Sequence, residues 1–370
     1  MPEIEIGRGK RGRPAYTFDN IAIVPSRRTR DTEQVSTTWR IDAYDFGVPF
    51  MAAPSDSVVS PATAISLSQL GVLAPLDLEG LWTRHENPES ILREVATLDT
   101  TAAAARLREA FTEPVKDELI AARLAEVRAG GGIVAGSLSP SGVLRHGQAV
   151  AGAVDVFVIR GTTVSAEHVA GSGDPLNLKK AVYDLDVPVI VGGCASYQAA
   201  LHLMRTGAAG VLVGFGGGSS HTTADVLGVR VPMATAVADV AAARRDYLDE
   251  SGGRYVHVIA DGSVGRSGDV ARAIAVGADA VVIGSPLARA TDSPAGGRHW
   301  GREVAHATLA RGRVVDLGAH GTQEQVIIGP SDTADGTQNF AGALRKAMAT
   351  CGYTDPKDFQ RVEVVVSTLE

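Results

Sequence analysis

The sequence contains few of the residues on which several classes of protein depend. Only two of its 370 residues are cysteines, Cys194 and Cys351, and neither belongs to a CxxC motif or a Cys/His cluster. Two such thiols exclude a disulfide framework and a cysteine-based zinc site. This scarcity is typical of a protein from a reducing compartment, and we expect a cytoplasmic location.

Long hydrophobic runs and an excess of positive charge are also absent. No apolar run reaches the ~18 residues that span a bilayer, and the start of the chain (MPEIEIGRGKRGRP) lacks the apolar centre of a signal peptide. The formal net charge is −7, so we expect neither nucleic acid nor a membrane surface as a partner. An anionic ligand must then be held by a local group of donors.

From residue 48 onward, short β-branched or small apolar runs alternate with longer amphipathic stretches. This alternation is typical of βα units around a parallel sheet. Gly207, Gly253 and Gly277 stand where helices would end before the next strand. Eight strands, each followed by a helix, predict a single α/β domain with the (β/α)8 TIM-barrel fold. The eight runs are 48–53, 71–76, 132–138, 154–159, 187–193, 210–214, 254–262 and 279–285.

Several regions lie outside the regular repeat. We expect residues 1–47 to form an N-terminal extension that packs on the barrel, and residues 48–370 to form the barrel itself. The gap at 77–131 predicts two helices in place of the usual one. A Gly-, His- and Pro-rich segment, included in 291–340, follows the last strand, where barrel enzymes place a lid; an ordinary tail is the alternative. A final helix is predicted at 341–352.

Glycine and serine are concentrated at the predicted C-terminal ends of the last three strands. GFGGGSSHTT (214–223) follows the sixth strand, the seventh ends at 261–263 and the eighth at 284–285. Glycines let backbone N–H groups turn toward one point, serine hydroxyls add donors, and barrel phosphate sites typically lie at such strand ends. The three loops therefore predict a phosphate cradle. Asp261 would repel a phosphate and is expected to accept hydrogen bonds from sugar hydroxyls; capping the next helix is the alternative.

At these loops and beyond them, the sequence resembles the IMP dehydrogenase/GMP reductase family. ADGSVGRSGDVARAIAVGADAVVIGSPLA (260–288) is similar to the family's seventh- and eighth-strand block, and GFGGGSSHTT is similar to its nucleophile loop. TFDNIAIVPSRRT (17–29), PFMAAPSDSVVS (49–60) and AGALRKAMATCGYTDPKDF (341–359) resemble its N-terminal motif, first-strand segment and last helix. The resemblance covers essentially the whole chain, without the regulatory (CBS) domains that most IMP dehydrogenases insert after the second strand.

The resemblance implies a homotetrameric oxidoreductase that acts on a purine mononucleotide (IMP, GMP or XMP) with NAD or NADP. It implies ribose binding by Asp261, and a role for Thr223 in activating water or the leaving amine. A monovalent cation, K⁺, would be held by Gly216, Gly218 and the carbonyl of His221. The residues implied in phosphate binding are Ser219, Gly262, Ser263, Gly284 and Ser285.

Two positions depart from the family's pattern in ways that affect chemistry. His221 stands where the family has the cysteine that attacks carbon 2 of the purine. A thiolate is nucleophilic near neutral pH and leaves readily, so the imidazole has three interpretations: a covalent nucleophile, a base or ligand contact, or a tolerated loop residue. Arg160 replaces an aspartate that contacts the dinucleotide's ribose, and an arginine there could instead meet a phosphate, including that of NADP.

Three hypotheses follow from these observations. The first is an oxidoreductase of guanine-nucleotide metabolism that lacks the usual cysteine. The second is a catalytically silent nucleotide-binding paralogue with a regulatory role, since the phosphate and ribose positions are largely kept while the nucleophile and cofactor positions are changed. The third is a barrel enzyme for another phosphorylated metabolite. Whether His221 faces the space beside the phosphate site is the structural feature that separates the first two.

Overall fold

The computed structural model describes residues 3–171, 173–214, 217–306 and 308–367. Its strands are β1 Ile4–Gly7, β2 Lys10–Gly12, β3 Ile21–Ile23, β4 Trp39–Ile41, β5 Tyr44–Phe46, β6 Phe50–Ala52, β7 Leu76–Asp77, β8 Ala135–Leu138, β9 Val156–Arg160, β10 Val189–Cys194, β11 Gly210–Val213, β12 His257–Asp261, β13 Ala280–Ile283, β14 Arg298–His299, β15 Val315–Asp316 and β16 Val364–Val366. Its α-helices are α1 Pro61–Gln69, α2 Pro88–Thr97, α3 Thr100–Ala110, α4 Asp117–Ala129, α5 Pro140–Val150, α6 Leu178–Leu185, α7 Tyr197–Met204, α8 Thr223–Leu227, α9 Met233–Glu250, α10 Ser267–Ala275, α11 Ser285–Ala288, α12 Gln323–Ile327, α13 Phe340–Thr350 and α14 Pro356–Phe359. Within the described ranges, no helix has the length and apolar character needed to cross a membrane.

Eight parallel strands form the centre of the molecule, in the order β6-β13-β12-β11-β10-β9-β8-β7. From β8 onward, each barrel strand therefore pairs with the barrel strand before it in the sequence, and the last one, β13, pairs with the first, β6. The ring closes between β6 and the chain leading into β7, where Met51 pairs with Leu73 and the Leu73 N–H donates to the Phe50 carbonyl over 3.1 Å. The predicted (β/α)8 TIM barrel is confirmed.

Local sequence signals set the ends of several helices. The hydroxyls of Ser60 and Ser139 accept hydrogen bonds from backbone N–H groups in the first turns of α1 and α5, at 3.1 and 2.9 Å. At the other end, the predicted stops Gly207, Gly253 and Gly277 have φ values of +96°, +111° and +116°, a region that favours glycine. The chain turns at these glycines toward the next barrel strand.

The barrel is packed inside and closed at its N-terminal end. Apolar side chains such as Met51, Leu212 and Ile259 fill the interior. The hairpin of β4 and β5, which precedes the barrel, adds Trp39 to the same cluster, and Trp39 Nε1 donates to Nδ1 of His257 at the start of β12. The opposite, C-terminal end is therefore the end open to a ligand.

The chain between β7 and β8 forms three helices, so the prediction of two was wrong. Asp99 accepts hydrogen bonds from two backbone N–H groups at 2.9 Å and starts α3 directly after α2. Helix α4 packs on the barrel core, whereas α2 and α3 pack against residues 295–314, in the segment that follows the last barrel strand. The extra helix thus packs against this segment, which lies over the C-terminal end of the barrel. We call residues 295–314 the covering segment.

Candidate functional site

A cavity of about 410 Å³ lies among the C-terminal ends of the barrel strands. Gly216, one of the predicted cation ligands, lies outside the described residues. Thr223 does not line the cavity: it is fully buried at the start of α8, and its Oγ1 has no hydrogen-bond partner among the described residues. The other predicted site residues all line the cavity: Arg160, Gly218, Ser219, His221, Asp261, Gly262, Ser263, Gly284 and Ser285.

The serine- and glycine-rich loops meet on one side of the cavity, which we call the cradle side. Ser219 Oγ, from the loop after β11, lies 2.7 Å from Ser285 Oγ, at the end of β13. The loop after β12 joins them, because the Ser263 N–H donates to the Gly217 carbonyl over 3.1 Å. A Cβ on Gly217 would lie only 3.2 Å from Ser263 Oγ, so the absence of a side chain permits this approach. Three strand ends are thereby brought to one point.

Ser263 carries a conformational strain within this cradle. Its φ is +58°, in the left-handed region that favours glycine. An l-residue there is disfavoured by roughly 1–2 kcal/mol. The Ser263 hydroxyl donates to the Gly217 carbonyl over 3.2 Å and partly offsets this strain. The position therefore tolerates serine but keeps a glycine-like backbone.

Asp261 forms an ion pair with Arg160 and does not cap a helix. Asp261 ends β12 while α10 begins only at Ser267, so Asp261 does not cap that helix. Arg160 Nε donates to Asp261 Oδ2 over 3.1 Å, and the two side chains are 16% and 15% exposed. Burial lowers the pKa of Arg160, but the nearby carboxylates of Asp261 and Glu303 outweigh it and raise the pKa overall. The carboxylate expected to receive ribose hydroxyls is already engaged by a cation.

His221 faces the cavity and is paired with a carboxylate that sequence reasoning did not identify. Its Nδ1 lies 3.7 Å from Oε2 of Glu303, and the two side chains are 15% and 14% exposed. Burial alone would raise the pKa of Glu303, but His221 and Arg160 hold it at about 2. A Cβ on Gly301 would lie 2.5 Å from that Oε2 and 3.5 Å from His221 Nε2, so the glycine leaves room for the pair.

A second histidine lines the cavity in its neutral form. His299 is buried, and its Nδ1 lies 2.9 Å from Ser57 Oγ. Burial, together with the neighbouring His221 and Arg160, lowers the pKa of His299 to about 3. In the sequence, His299 belongs to the Gly-, His- and Pro-rich segment after the last strand and carries no motif of its own. Its role as a neutral, cavity-lining imidazole follows from burial, which the sequence does not display.

A buried acidic network lies beside these groups, at the ends of β6 and β7. Arg302 Nε lies 3.1 Å from Asp77 Oδ2, and its guanidinium also pairs with Glu79. Burial raises the pKa of Asp77 to about 6, although Arg302 opposes the shift. Burial and the neighbouring Asp77 raise the pKa of Asp56 to about 8. Arg302 therefore holds its segment to the barrel through two buried carboxylates.

Backbone pairing places the segment that carries Glu303 over the cavity. The Thr222 N–H donates to the Arg311 carbonyl over 2.9 Å, and the Arg313 N–H donates to the Ser220 carbonyl over 2.8 Å. Arg311 Nη1 also donates to Thr162 Oγ1 over 2.8 Å. Trp300 is buried in the cluster formed with α2 and α3. The loop after β11 and the covering segment thus form one surface that brings His221 to Glu303.

Neither cysteine can supply the missing thiolate. Cys194 is 2% exposed, and burial raises its pKa to about 12. It lines a separate cavity of about 330 Å³ at the ends of β9 and β10, with Thr163 and His202. Cys351 is buried in the turn after α13, and neither thiol lines the first cavity. In the described parts of the chain, no group of three or more His, Cys, Asp or Glu side chains is placed to hold a metal ion.

Comparisons with known proteins identify the family to which the chain is similar. Residues 15–306 match the IMP dehydrogenase / GMP reductase domain family. An "Uncharacterized oxidoreductase" of Mycolicibacterium smegmatis is 47% identical over 99% of this chain and 100% of its own length. The inosine-5′-monophosphate dehydrogenase of Thermoplasma acidophilum is 28% identical, covering 75% of this chain and 73% of that protein.

A solved structure shows the same architecture. The crystal structure of an IMP dehydrogenase/GMP reductase-like protein from Corynebacterium glutamicum matches with a TM-score of 0.94 and 48% sequence identity. The match covers 99% of this chain and 98% of that one. The resemblance inferred from the motifs is confirmed, and the chain belongs to the IMP dehydrogenase/GMP reductase family.

Proposed function

We propose that this protein binds a purine mononucleotide (IMP, GMP or XMP) in the 410 Å³ cavity and acts on it as a nicotinamide-dependent oxidoreductase without a cysteine nucleophile. The observation that carries the proposal is the junction of three strand ends at Ser219, Ser263 and Ser285. The hydroxyls of Ser219 and Ser285 lie 2.7 Å apart there, without a carboxylate in the junction itself, and neutral hydroxyl donors of this kind suit a phosphate monoester.

The rest of the cavity supports a nucleoside attached to that phosphate. Besides the cradle, the lining includes Asp261, Arg160, His221 and His299. A cavity of this size lies within the usual range of ligand pockets, roughly 300–1,000 Å³. Asp261 would meet the ribose hydroxyls, and the two imidazoles would lie nearer the base.

The neighbouring cavity at β9 and β10 fits an extended cofactor. Thr162 lines the first cavity and Thr163 lines the second, so the two lie side by side. Ser165, Ser196 and Gln198 also line the second cavity and offer hydrogen-bonding groups. Arg160, Thr162 and this second cavity would hold NAD or NADP, with Arg160 suited to a cofactor phosphate. A bound nicotinamide supplies the hydride acceptor or donor.

Other predictions from the resemblance remain part of this proposal. In the proposed K⁺ site, the Gly218 carbonyl already accepts the His221 N–H over 3.2 Å, which leaves its second lone pair for a cation. Thr223 would act only after local rearrangement, because it is buried away from the cavity. The homotetramer, the cytoplasmic location and the role in guanine-nucleotide metabolism rest on the resemblance and the composition.

A second candidate function is a silent nucleotide-binding paralogue with a regulatory role. The ion pair between Arg160 and Asp261 favours this alternative, because it engages the ribose-binding carboxylate with the residue that replaces a cofactor contact. Such a protein would keep the cradle and lose turnover. The two candidates therefore agree on nucleotide binding and differ on chemistry.

The experiment is a calorimetric titration of the purified protein with IMP, GMP and XMP, followed by absorbance assays with NAD⁺ and NADPH. Binding with turnover supports the oxidoreductase. Binding without turnover supports the silent paralogue, and turnover that appears only in a His221→Cys variant identifies position 221 as the cause. If none of the three nucleotides binds at millimolar concentration, both candidates fail, and a barrel enzyme for another phosphorylated metabolite becomes the better explanation.

A further inference from the structure

We propose that His221 and Glu303 form a general-base pair that directs water at an electrophilic ring carbon of the bound purine, so that His221 is not a covalent nucleophile. The proposal rests on the proposed function, since it assumes a purine base in the cavity. It gives a role to Glu303, a residue of the covering segment for which no local sequence signal exists.

The arrangement of the two side chains supports a base rather than a nucleophile. Nδ1 of His221 faces Glu303 Oε2 at 3.7 Å, a separation that a small shift brings to hydrogen-bond length. A carboxylate beside Nδ1 favours the tautomer with its proton on that nitrogen, and Nε2 is then free to accept a proton. In such pairs the carboxylate orients the imidazole and stabilises its cationic form.

Glu303 is directed at His221 by its surroundings. Its Oε2 is buried and has no hydrogen-bond partner among the described residues. The adjacent Arg302 is occupied by Asp77 and Glu79, and Arg160 by Asp261. The acceptor atom of Glu303 is therefore left for the imidazole of His221, 3.7 Å away.

The glycine at position 301 and the neutral His299 leave the pair unobstructed. A Cβ on Gly301 would collide with Glu303 Oε2 at 2.5 Å. His299 bonds through Nδ1 to Ser57, and burial holds its pKa at about 3, so it does not compete for the carboxylate as a cation. His221 is thus the cavity imidazole that Glu303 can orient.

The proposed step is an addition of water to the purine ring. The water oxygen bonds to a ring carbon that lies between two nitrogens, and the π electrons of one C=N bond move to its nitrogen. His221 Nε2 takes the proton that the water releases, and the ring nitrogen takes a proton from solvent. The sum is the addition of H₂O with no change of oxidation state, so this step needs neither an oxidant nor a thiol.

Intact-mass spectrometry and pH profiles test this inference on the full-length protein. Wild type quenched during turnover of IMP with NAD⁺, the direction that consumes water, is expected to show no nucleotide mass on the protein, whereas a His221→Cys variant shows one. Glu303→Gln is expected to reduce kcat by about 10²-fold, the usual range for a general base, with the nucleotide Kd unchanged. The ionisation that limits kcat in wild type should also move in Glu303→Gln.

Controls separate this role from a structural one. Glu324→Gln makes the same change at an exposed position of α12 and should leave kcat and its pH profile unchanged. Glu303→Asp keeps the charge and should recover part of the lost kcat. A nucleotide adduct on His221, an unshifted pH profile in Glu303→Gln, or nucleotide binding without turnover in wild type would overturn the base pair. Absence of any nucleotide binding would instead remove the proposed function, and the base pair with it.

Discussion

The two sides of the cavity are built in different ways. The cradle side, formed by Ser219, Ser263 and Ser285, uses small neutral residues at the ends of adjacent strands. A second group of lining residues, which we call the acid–base side, consists of Arg160, His221, His299 and Glu303, which contact partners far away in the chain. The residues of the cradle side can therefore stay the same while substitutions on the acid–base side change the chemistry.

The acid–base side also depends on a support that the cradle side does not need. Arg302 lies next to Glu303 in the chain and is tied to Asp77 and Glu79, which are almost fully buried. A buried carboxylate is stable only while it is paired or protonated. On the acid–base side, a residue that stabilises the fold is adjacent to one that is proposed to act on the ligand. On the cradle side these two roles are separate.

The largest effect is expected from removing the cation that supports the acid–base side. Arg302→Met leaves Asp77 buried without its cationic partner and removes the most buried cationic partner of Glu79, which keeps Arg145 and Ser139. The loss should lower the free energy of unfolding by about 3–5 kcal/mol. Denaturant unfolding measures this change. The control is Arg205→Met, which removes a surface ion pair with Glu250 and should lower stability by less than about 1 kcal/mol. Equal losses of unfolding free energy in the two variants would show that the buried network stabilises the protein no more than a surface ion pair does.

The next largest effect concerns the cradle side and should leave stability unaffected. Ser285→Asp places a carboxylate where Ser219 Oγ lies 2.7 Å from the present hydroxyl. Repulsion of the phosphate and loss of a donor should weaken nucleotide binding by about 100-fold. Calorimetric Kd values and the Tm measure the two properties separately.

The control for the cradle is Ser331→Asp, the same change at an exposed position. It should alter neither the Kd nor the Tm. Unchanged nucleotide affinity in Ser285→Asp would mean that the phosphate binds elsewhere, and the division of the cavity into two sides would lose its functional meaning.

The same contrast explains what the sequence could and could not predict. The barrel and the cradle follow from repeated strand–helix units and from glycines and serines at strand ends, which are local patterns. The pairing of His221 with Glu303, and of Arg160 with Asp261, depends on how distant segments meet after folding. The same limit applies between β7 and β8, where two helices were predicted and three are found. Asp99 caps α3 and so separates it from α2.

The buried network makes a smaller and pH-dependent contribution to stability. The folded-state pKa of Asp56 is raised to about 8, so the folded protein keeps a proton that the unfolded chain releases. Stability should therefore fall as the pH rises from about 4 through 8. Asn at this position can still accept the Leu81 N–H, which Asp56 now receives over 2.9 Å. The stability advantage of Asp56→Asn over wild type should widen by about 2.5 kcal/mol between pH 5 and pH 7.

Denaturant unfolding at several pH values measures this advantage. Asp45→Asn, at an exposed carboxylate, is the control and should follow wild type at every pH. A constant difference between Asp56→Asn and wild type across this range would show that Asp56 is ionised in the folded protein, with Arg302 or another cation as its partner.

The smallest expected effect tests whether Arg160 restrains Asp261 or binds the ligand itself. If Arg160 only engages the carboxylate, Arg160→Met frees Asp261 for the ribose hydroxyls and should raise the affinity for IMP about fivefold, the value of one added hydrogen bond of ~1 kcal/mol. The 2′-deoxy form of the nucleotide lacks one of those hydroxyls and should gain less. Arg311→Met, which removes a charge beside the same cavity through its contact with Thr162, should give no such gain. A loss of affinity for both nucleotides in Arg160→Met, but not in Arg311→Met, would show that Arg160 contacts the nucleotide itself. The acid–base side would then contribute to nucleotide binding as well as to catalysis.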